Sequence, residues 1–418
     1  MKNCLVLLTK IFPFDTGEEF IANELPVIAK EFEKVILIAT SVSDNPVQTR
    51  PVPDNTEVHT ISAARIGAKV KAGALGPFLH IPKKYKNAQE RTELGHALLR
   101  RLYFAYFVSK GKVVSHEAAA ILSKTAVDGY DSVTFYSYWF YDTAFAAVNL
   151  KYGCRAAHCY SYSRAHGYDL YPERNPSNYL PLRPYLLKNL DAVFPCSNNG
   201  SKYLKETYKE LADKVATAYL GTRDYGRGPS DRGDEFCLAS CCHIDPVKRV
   251  DLLAQALAKL SESGLNLKWT HFGGGEGLDE LKKYAADNLT FMKCEFAGEV
   301  KNEELMKFYQ TNRVDCFINT SSSEGLPVSI MEACSFGIPV IATDVGGTGE
   351  IVKDGENGWL LDTDFTPETL AQKIEQMARL DQQERIALRE AARNIWQENF
   401  CAENNYARFA QLIDPLHT

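Results

Sequence analysis

Asp315-Cys316-Phe317-Ile318-Asn319 leads through Thr320-Ser321-Ser322-Ser323 into Glu324-Gly325-Leu326-Pro327-Val328-Ser329-Ile330-Met331-Glu332, and Gly337, Pro339-Val340-Ile341-Ala342-Thr343 and Gly346-Gly347 follow. An apolar run of strand length, a polar loop, a short helix, a glycine stop and a second apolar run read as one αβ unit of a parallel sheet. Pro327 suits the first helical position, where an N–H would be unpaired anyway, and Gly337 suits the exit, so the helix is expected over about Pro327 to Phe336. Such a start, reached through serines and a glycine, offers free backbone N–H groups and a positive dipole end to a phosphate or diphosphate. Glu324 precedes the helix and Glu332 lies about a turn and a half into it. Carboxylates so spaced are too far apart to serve one bond as an acid and nucleophile pair, which needs roughly 5 Å between them. One can reach a sugar and the other a ribose, whose cis-diol offers two donors to an ionised carboxylate.

Glu324 and Glu332, followed by Gly337-x-Pro339-Val340 and Gly346-Gly347-x-x-Glu350, resemble the motif of the family 4 retaining glycosyltransferases. Two glutamates on a helix are ordinarily a solvated face; the flanking Gly-Leu-Pro, the bracketing strands and the later Gly-Gly argue against that here. The resemblance covers nearly the whole second half and the first half only loosely. It implies an α/β chain of GT-B architecture, two doubly wound Rossmann-like domains facing a central cleft. It further implies transfer of a sugar from a nucleotide diphosphate sugar, UDP- or GDP-linked, to an acceptor hydroxyl, with retention at the anomeric carbon. In the implied mechanism the N–H groups after Glu324, at Gly325, Leu326 and Val328, stabilise the leaving diphosphate together with Lys248. Glu332 holds the ribose, and Glu324 orients the donor sugar or supports positive charge at its anomeric carbon. The family expectation is front-face attack with the departing phosphate as base.

Upstream, Phe236 to Ser240 reads as a strand, and Cys242-His243-Ile244-Asp245-Pro246-Val247-Lys248-Arg249 as a loop entering an amphipathic helix. Family members usually place an arginine here and a lysine five residues later, both on the donor diphosphate. Lys248 matches the lysine, His243 stands where the arginine would be, and Arg249 is the residue at hand to compensate. A cation fixed beside the diphosphate acts more strongly in the transition state, where negative charge accumulates as the glycosidic bond breaks. Leu267 to Phe272 with Gly273-Gly274-Gly275-Glu276-Gly277 reads as strand and glycine loop, and the exit of the next strand, Gly298-Glu299, is expected to meet the base.

In the first half, Leu5-Val6-Leu7-Leu8 reads as a buried strand followed by a loop to Glu19. Thr16 and Glu19 have capping-box spacing for a helix that contains Pro26, a predicted kink or break. Gly17 matches the glycine of the family's first loop; a plain tight turn accounts for it equally. Val35 to Thr40 is a second strand, and residues 41–60, rich in proline, asparagine and aspartate, are expected to be loop. Tyr136-Ser137-Tyr138-Trp139-Phe140-Tyr141 ends another strand with aromatics that suit sugar faces or a core. His166, at the exit of the strand near Ala156 to Ser163, corresponds to a family histidine that contacts the donor sugar or its phosphate, although a lone histidine is more often structural.

With 418 residues, 45% of them hydrophobic, the chain is long enough for two cores. A net charge of −6 gives no reason to expect nucleic acid as a partner. The basic stretch from Arg65 to Lys124, which includes Lys83, Lys84 and Lys86, reads either as a solvated face over ordinary packing or as peripheral contact with an anionic bilayer. Eleven cysteines without metal-site spacing suit free thiols in a reducing cytoplasm, and no apolar run is long enough to span a membrane. No Asp-x-Asp is placed for a metal, so neither metal nor cofactor is expected beyond the nucleotide sugar as co-substrate.

The expected organisation is 1–222 as the acceptor-side domain, 235–393 as the nucleotide-sugar domain, and 394–418 as a helix returning to the first. The acceptor is left open among carbohydrate, lipid-linked and small-molecule hydroxyls, and the location is cytoplasmic, with the inner membrane face as one setting. The rival functions are a nucleotide-sugar epimerase or hydrolase of the same fold, and a sugar-nucleotide-binding protein without turnover.

Overall fold

The computed structural model describes residues 2–73, 85, 88–95, 97–231 and 233–414, so Lys83, Lys84 and Lys86 lie outside the described residues. The chain divides into two compact units: Met1–Leu220 with Glu403–Thr418, and Gly221–Ala402.

The first unit runs β1 (Asn3–Thr9), α1 (Ile21–Ile28), β2 (Lys34–Val42), β3 (Thr56–Ser62), α2 (Ala63–Gly73), α3 (Ala88–Leu94) and α4 (Leu98–Leu122). It continues with β4 (Ser132–Ser137), α5 (Asp142–Gly153), β5 (His158–Ala165), α6 (Gly167–Leu170), α7 (Arg183–Asn189), β6 (Ala192–Pro195) and α8 (Asn198–Thr207). All pairings are parallel, in the order β3-β2-β1-β4-β5-β6. Every residue of β1 and β4 is buried, as continuous apolar strands covered on both faces require. Ser197 caps α8 by accepting the Gly200 N–H at 3.0 Å.

Two expectations are corrected here. Residues 56–62, which overlap the end of the expected loop 41–60, form β3: their valine, isoleucine and threonines extend the sheet beside β2. Thr16 and Glu19 form no capping box; α1 begins at Ile21 behind Phe20, with no side-chain cap. Glu18 turns back instead and takes up three backbone amides after β1. Pro26 lies inside α1, which ends two residues later.

The second unit runs β7 (Phe236–Cys241), α9 (Val250–Ala258), β8 (Leu267–Phe272), α10 (Leu278–Asn288), β9 (Lys293–Gly298), α11 (Asn302–Thr311), β10 (Cys316–Asn319) and α12 (Val328–Ser335). Then follow β11 (Val340–Thr343), α13 (Thr348–Ile351), β12 (Gly358–Leu361), α14 (Pro367–Ala378) and α15 (Gln382–Asn399). Its sheet, again parallel, has the order β12-β11-β10-β7-β8-β9, which is the first sheet's topology repeated. Its core packs Leu238, Leu267, Trp269, Ile318 and Ile341 against Leu253, Leu257, Leu370 and Ile374 of α9 and α14.

The single helix expected over 394–418 is two. Asp381 caps α15 through a capping box with Glu384, α15 ends at Asn399 within the second unit, and α16 (Ala402–Ile413) follows. From Glu403 onward the chain belongs to the first unit. There Phe409 packs on Tyr136 and Phe194, at 5.3 and 5.2 Å between ring centroids, and under the Arg164 guanidinium at 4.1 Å. Arg164 is itself fully buried and paired with Glu24 at 2.9 Å. Between the expected domains 1–222 and 235–393, Asp224 and Tyr225 belong to the second unit: Asp224 pairs with Arg393 at 2.5 Å, and Tyr225 stacks on Phe336.

Candidate active site

In the second sheet the strand order reverses between β7 and β10. Doubly wound sheets bind ligands outside the carboxyl ends of the strands at such a point. The loops leaving these two strands are stitched together there. Ser322 N–H donates to the Val247 carbonyl at 2.7 Å, and the Thr320 hydroxyl donates to the Lys248 and Arg249 carbonyls at 2.8 and 3.0 Å. Asp245 accepts the amides of Val247 and Lys248 at 2.8 and 3.0 Å and fixes the turn.

Arg249 then takes a left-handed φ of 50°, and its side chain points away from its neighbour's. Its guanidinium donates to the carbonyls of Thr320 at 2.8 Å, Ser321 at 3.3 Å and Thr363 at 2.7 Å, and packs on Phe365. Its donors are spent on the scaffold, so the structure gives it a clamping place and not the compensating diphosphate contact expected for it. Lys248 points the other way. Its Nζ lies 2.7 Å from Glu324 Oε1, with the Asn319 amide 3.4 Å from the same oxygen.

Past Glu324 the backbone N–H groups of Gly325 and Leu326 have no acceptor among the described residues, and Val328 opens α12. Pro327 is the residue before the helix, with an extended ψ of 106°, and not the first helical residue. The ring holds φ at a value that both positions accept, so sequence alone did not separate them. Gly347 N–H donates to the Gly325 carbonyl at 2.7 Å, and Gly346, with φ 58°, lies so close that a Cβ would collide with the Glu324 carbonyl. The second glycine pair thus backs the loop that carries Glu324.

Glu332, on the next turn of α12, accepts a hydrogen bond from the Asn302 amide at 2.7 Å. Only part of its surface meets solvent, and burial pushes its carboxyl up to about 7, against the lowering effect of Asn302. A third group is formed by His243, Gly298 and Glu299 around the glycine loop. Gly273 N–H donates to the Gly298 carbonyl at 2.8 Å, a Cβ on Gly274 would lie 2.9 Å from Glu299 Cγ, and one on Gly275 would lie 3.1 Å from His243 Nε2. The second unit therefore gathers Lys248 with Glu324, Glu332 with Asn302, and both His243 and Glu299 against the glycine loop.

The first sheet reverses between β1 and β4, and its loops carry the remaining residues. Gly17, with φ 115°, turns the chain so that Glu18 accepts the amides of Lys10, Ile11 and Phe12 at 2.9, 2.7 and 2.7 Å and the Trp139 indole N–H at 2.5 Å. His166 leaves β5 between the rings of Tyr138 and Trp139, each 4.8 Å away, with its Nδ1 3.8 Å from Asp169 Oδ2. Asp169 accepts the His166 and Phe140 amides at 2.5 and 2.6 Å. Burial alone would raise its carboxyl, but His166 and Arg183 outweigh that and hold it below its usual range. Among the described residues no group of three His, Cys, Asp or Glu side chains is placed to hold a metal ion.

Asn302, Asn319, Lys10 and Glu18 were not singled out in the sequence. Asn319 and Lys10 had a usable signal, as the last residue of one strand and the first after another. Asn302 had none, being brought to Glu332 from a separate helix.

Two sheets of the same doubly wound topology, the second with a lysine, a glutamate and a helix start at its reversal point, define the class of GT-B proteins. A crystal structure of Anabaena HepE in complex with UDP and glucose matches over 99% of both chains, with a TM-score of 0.64 and 18% identity. A sucrose-phosphate synthase from Thermosynechococcus elongatus matches over 99% of this chain and 98% of its own, with a TM-score of 0.68 and 16% identity. Residues 228–395 match the family model described as glycosyl transferases group 1. The O-antigen biosynthesis glycosyltransferase WbnH of Escherichia coli is 36% identical over 133 residues, 31% of this chain and 34% of the relative. The putative colanic acid biosynthesis glycosyltransferase WcaL of Salmonella typhimurium is 25% identical over 262 residues, 60% of this chain and 63% of the relative. The chain thus spans about a third of the length of the first relative and just under two thirds of the second.

Proposed function

We propose that this chain is a retaining glycosyltransferase of family 4 that moves a sugar from a nucleotide diphosphate sugar, UDP- or GDP-linked, to an acceptor hydroxyl in glycoconjugate biosynthesis. The observation that carries this reading is the Lys248 and Glu324 pair at the reversal point of the second sheet, beside the unoccupied amides that lead into α12. In this reading the donor diphosphate takes the Lys248 ammonium and the Gly325 and Leu326 amides, which frees Glu324 to face the sugar. Cleavage of the bond between anomeric carbon and phosphate oxygen places negative charge where those donors converge. The acceptor oxygen bonds to the carbon on the same face, and its proton passes to the departing phosphate oxygen. Glu332 receives the ribose hydroxyls, His243 and Glu299 border the nucleotide, and His166 of the first unit contacts sugar or phosphate. Lys248 and the amides supply the charge stabilisation, so the reading needs no metal.

The setting proposed is the cytoplasm, which suits eleven free cysteines. Peripheral membrane contact is assigned to the start of α4, where Leu98, Leu99, Leu102 and Tyr106 are exposed beside Arg101. Much of the remaining basic charge is engaged within the unit: Arg65 and Lys69 pair with Glu117, and Lys110 pairs with Asp142. No helix among the described residues is long and apolar enough to cross a membrane.

Nucleotide release from a panel of UDP- and GDP-sugars, with and without acceptors, tests the function. Release that requires an acceptor supports it. Binding without turnover under every pairing would favour the inactive module, for which His243 in the arginine position speaks, and acceptor-free turnover would favour a hydrolase or epimerase.

A further inference from the structure

We propose that the carboxyl edge of the first sheet binds an anionic sugar as acceptor, one bearing a phosphate ester or a carboxylate, with Lys10 as the anion contact and Tyr168 as the stacking platform. The proposal rests on the transferase reading above for the word acceptor, but the binding site stands on its own geometry. Lys10 is the first residue after β1, and its ammonium lies over three rings: Trp139 at 4.8 Å, Tyr141 at 5.4 Å and Tyr168 at 5.7 Å. Aromatic faces attract a cation without neutralising it, so the charge remains available to an anion.

The neighbouring carboxylates are committed elsewhere. Glu18 is bound by three amides and the Trp139 indole. Asp169 accepts two amides, and Asp142 pairs with Lys110 at 3.0 Å. No ion pair to Lys10 occurs among the described residues. The site also lies at the strand-order reversal between β1 and β4, the place where a doubly wound sheet takes its ligand.

The surrounding rings give the chemical class of the ligand. Tyr168 is 45% exposed, and its ring lies 6.1 Å from that of Tyr141. An open phenol face beside a lysine suits a pyranose, whose C–H face packs on the ring while its anionic substituent reaches the ammonium. In a low-dielectric aromatic surround that charge contact is stronger than on open surface.

The experiment is isothermal titration of the full chain with glucose, glucose 6-phosphate, glucuronate and inorganic phosphate, and with UDP and GDP as a separate arm. The charged sugars are expected to bind at least about tenfold more tightly than glucose, the worth of one charge-assisted contact. They should also bind more tightly than inorganic phosphate, which cannot stack. Lys10→Gln should erase the preference while keeping the glucose affinity, Lys10→Arg should retain it, and Tyr168→Ala should weaken all three sugars alike. Equal affinities for glucose and its phosphate, or a preference that survives Lys10→Gln, would overturn the proposal. Nucleotide affinity reports the second unit in the same samples: its loss with the sugar preference intact would count against the transferase reading alone, whereas retained glucose affinity in Lys10→Gln shows that the first unit of the variant is folded.

Discussion

Lys248 and Glu324 hold each other at 2.7 Å before any donor arrives, and this sets what single substitutions do. Lys248→Ala removes one of the converging donors and should lower kcat by roughly 10²- to 10³-fold, as loss of one oxyanion-type donor does, in steady-state nucleotide-release assays. Glu332 adds a dependence on pH. Its carboxyl sits at about 7 against an ordinary 4.5, so below 7 it is largely protonated and cannot accept both ribose hydroxyls. Nucleotide affinity should therefore rise roughly tenfold between pH 6 and 8, and Glu332→Gln should flatten the profile in calorimetric titrations. Removing the lowering hydrogen bond with Asn302→Ala should move the midpoint upward. The stability effect has the opposite sign: the folded state keeps a proton that the unfolded chain releases above 4.5, so this group's contribution falls as pH rises from 4.5 through 7. The positions of Lys248 and Glu324 in loops after strands and of Glu332 on the following helix were legible in the sequence because strands, prolines and glycines frame them. The place of Arg249 was not, because a left-handed backbone angle decides which way its side chain turns.

The strand exits meet in pairs, and glycine makes this possible. At Gly273, with φ 129°, a Cβ would run into the Cys242 carbonyl. Gly273→Ala should consequently push apart the loops after β7 and β8, lower the thermal midpoint and weaken nucleotide binding together; a strained backbone position of this kind costs of order 1–3 kcal/mol, read from denaturant titration. Glycine runs were visible in the sequence as a loop, but their partners were not, since the close approach links Gly273 to Cys242 across neighbouring strands. β3 was missed for a related reason. Its prolines, asparagine and aspartate precede it, and the strand residues are only partly buried, so neither an apolar run nor strict alternation marks it.

Across the whole chain, the alternation of strands and helices foretold doubly wound sheets, while the break at Phe400 and Cys401 that divides the terminal helices had no local signature. The return of α16 to the first unit makes that unit depend on the last residues described. Phe409→Ala would leave a cavity under Arg164 and cost the first unit about 3–5 kcal/mol. Amide hydrogen exchange should then quicken in β4, β5 and β6 and stay unchanged across 236–378.

The distribution of indoles has a practical outcome. Of the four tryptophans, 269, 359 and 396 are buried in the second unit, whereas Trp139 alone belongs to the first, wedged between the Lys10 ammonium and the His166 ring. The molecule thereby carries its own optical probe: subtracting the emission of a Trp139→Phe variant isolates light from one residue, whose colour and lifetime follow whatever settles beside it.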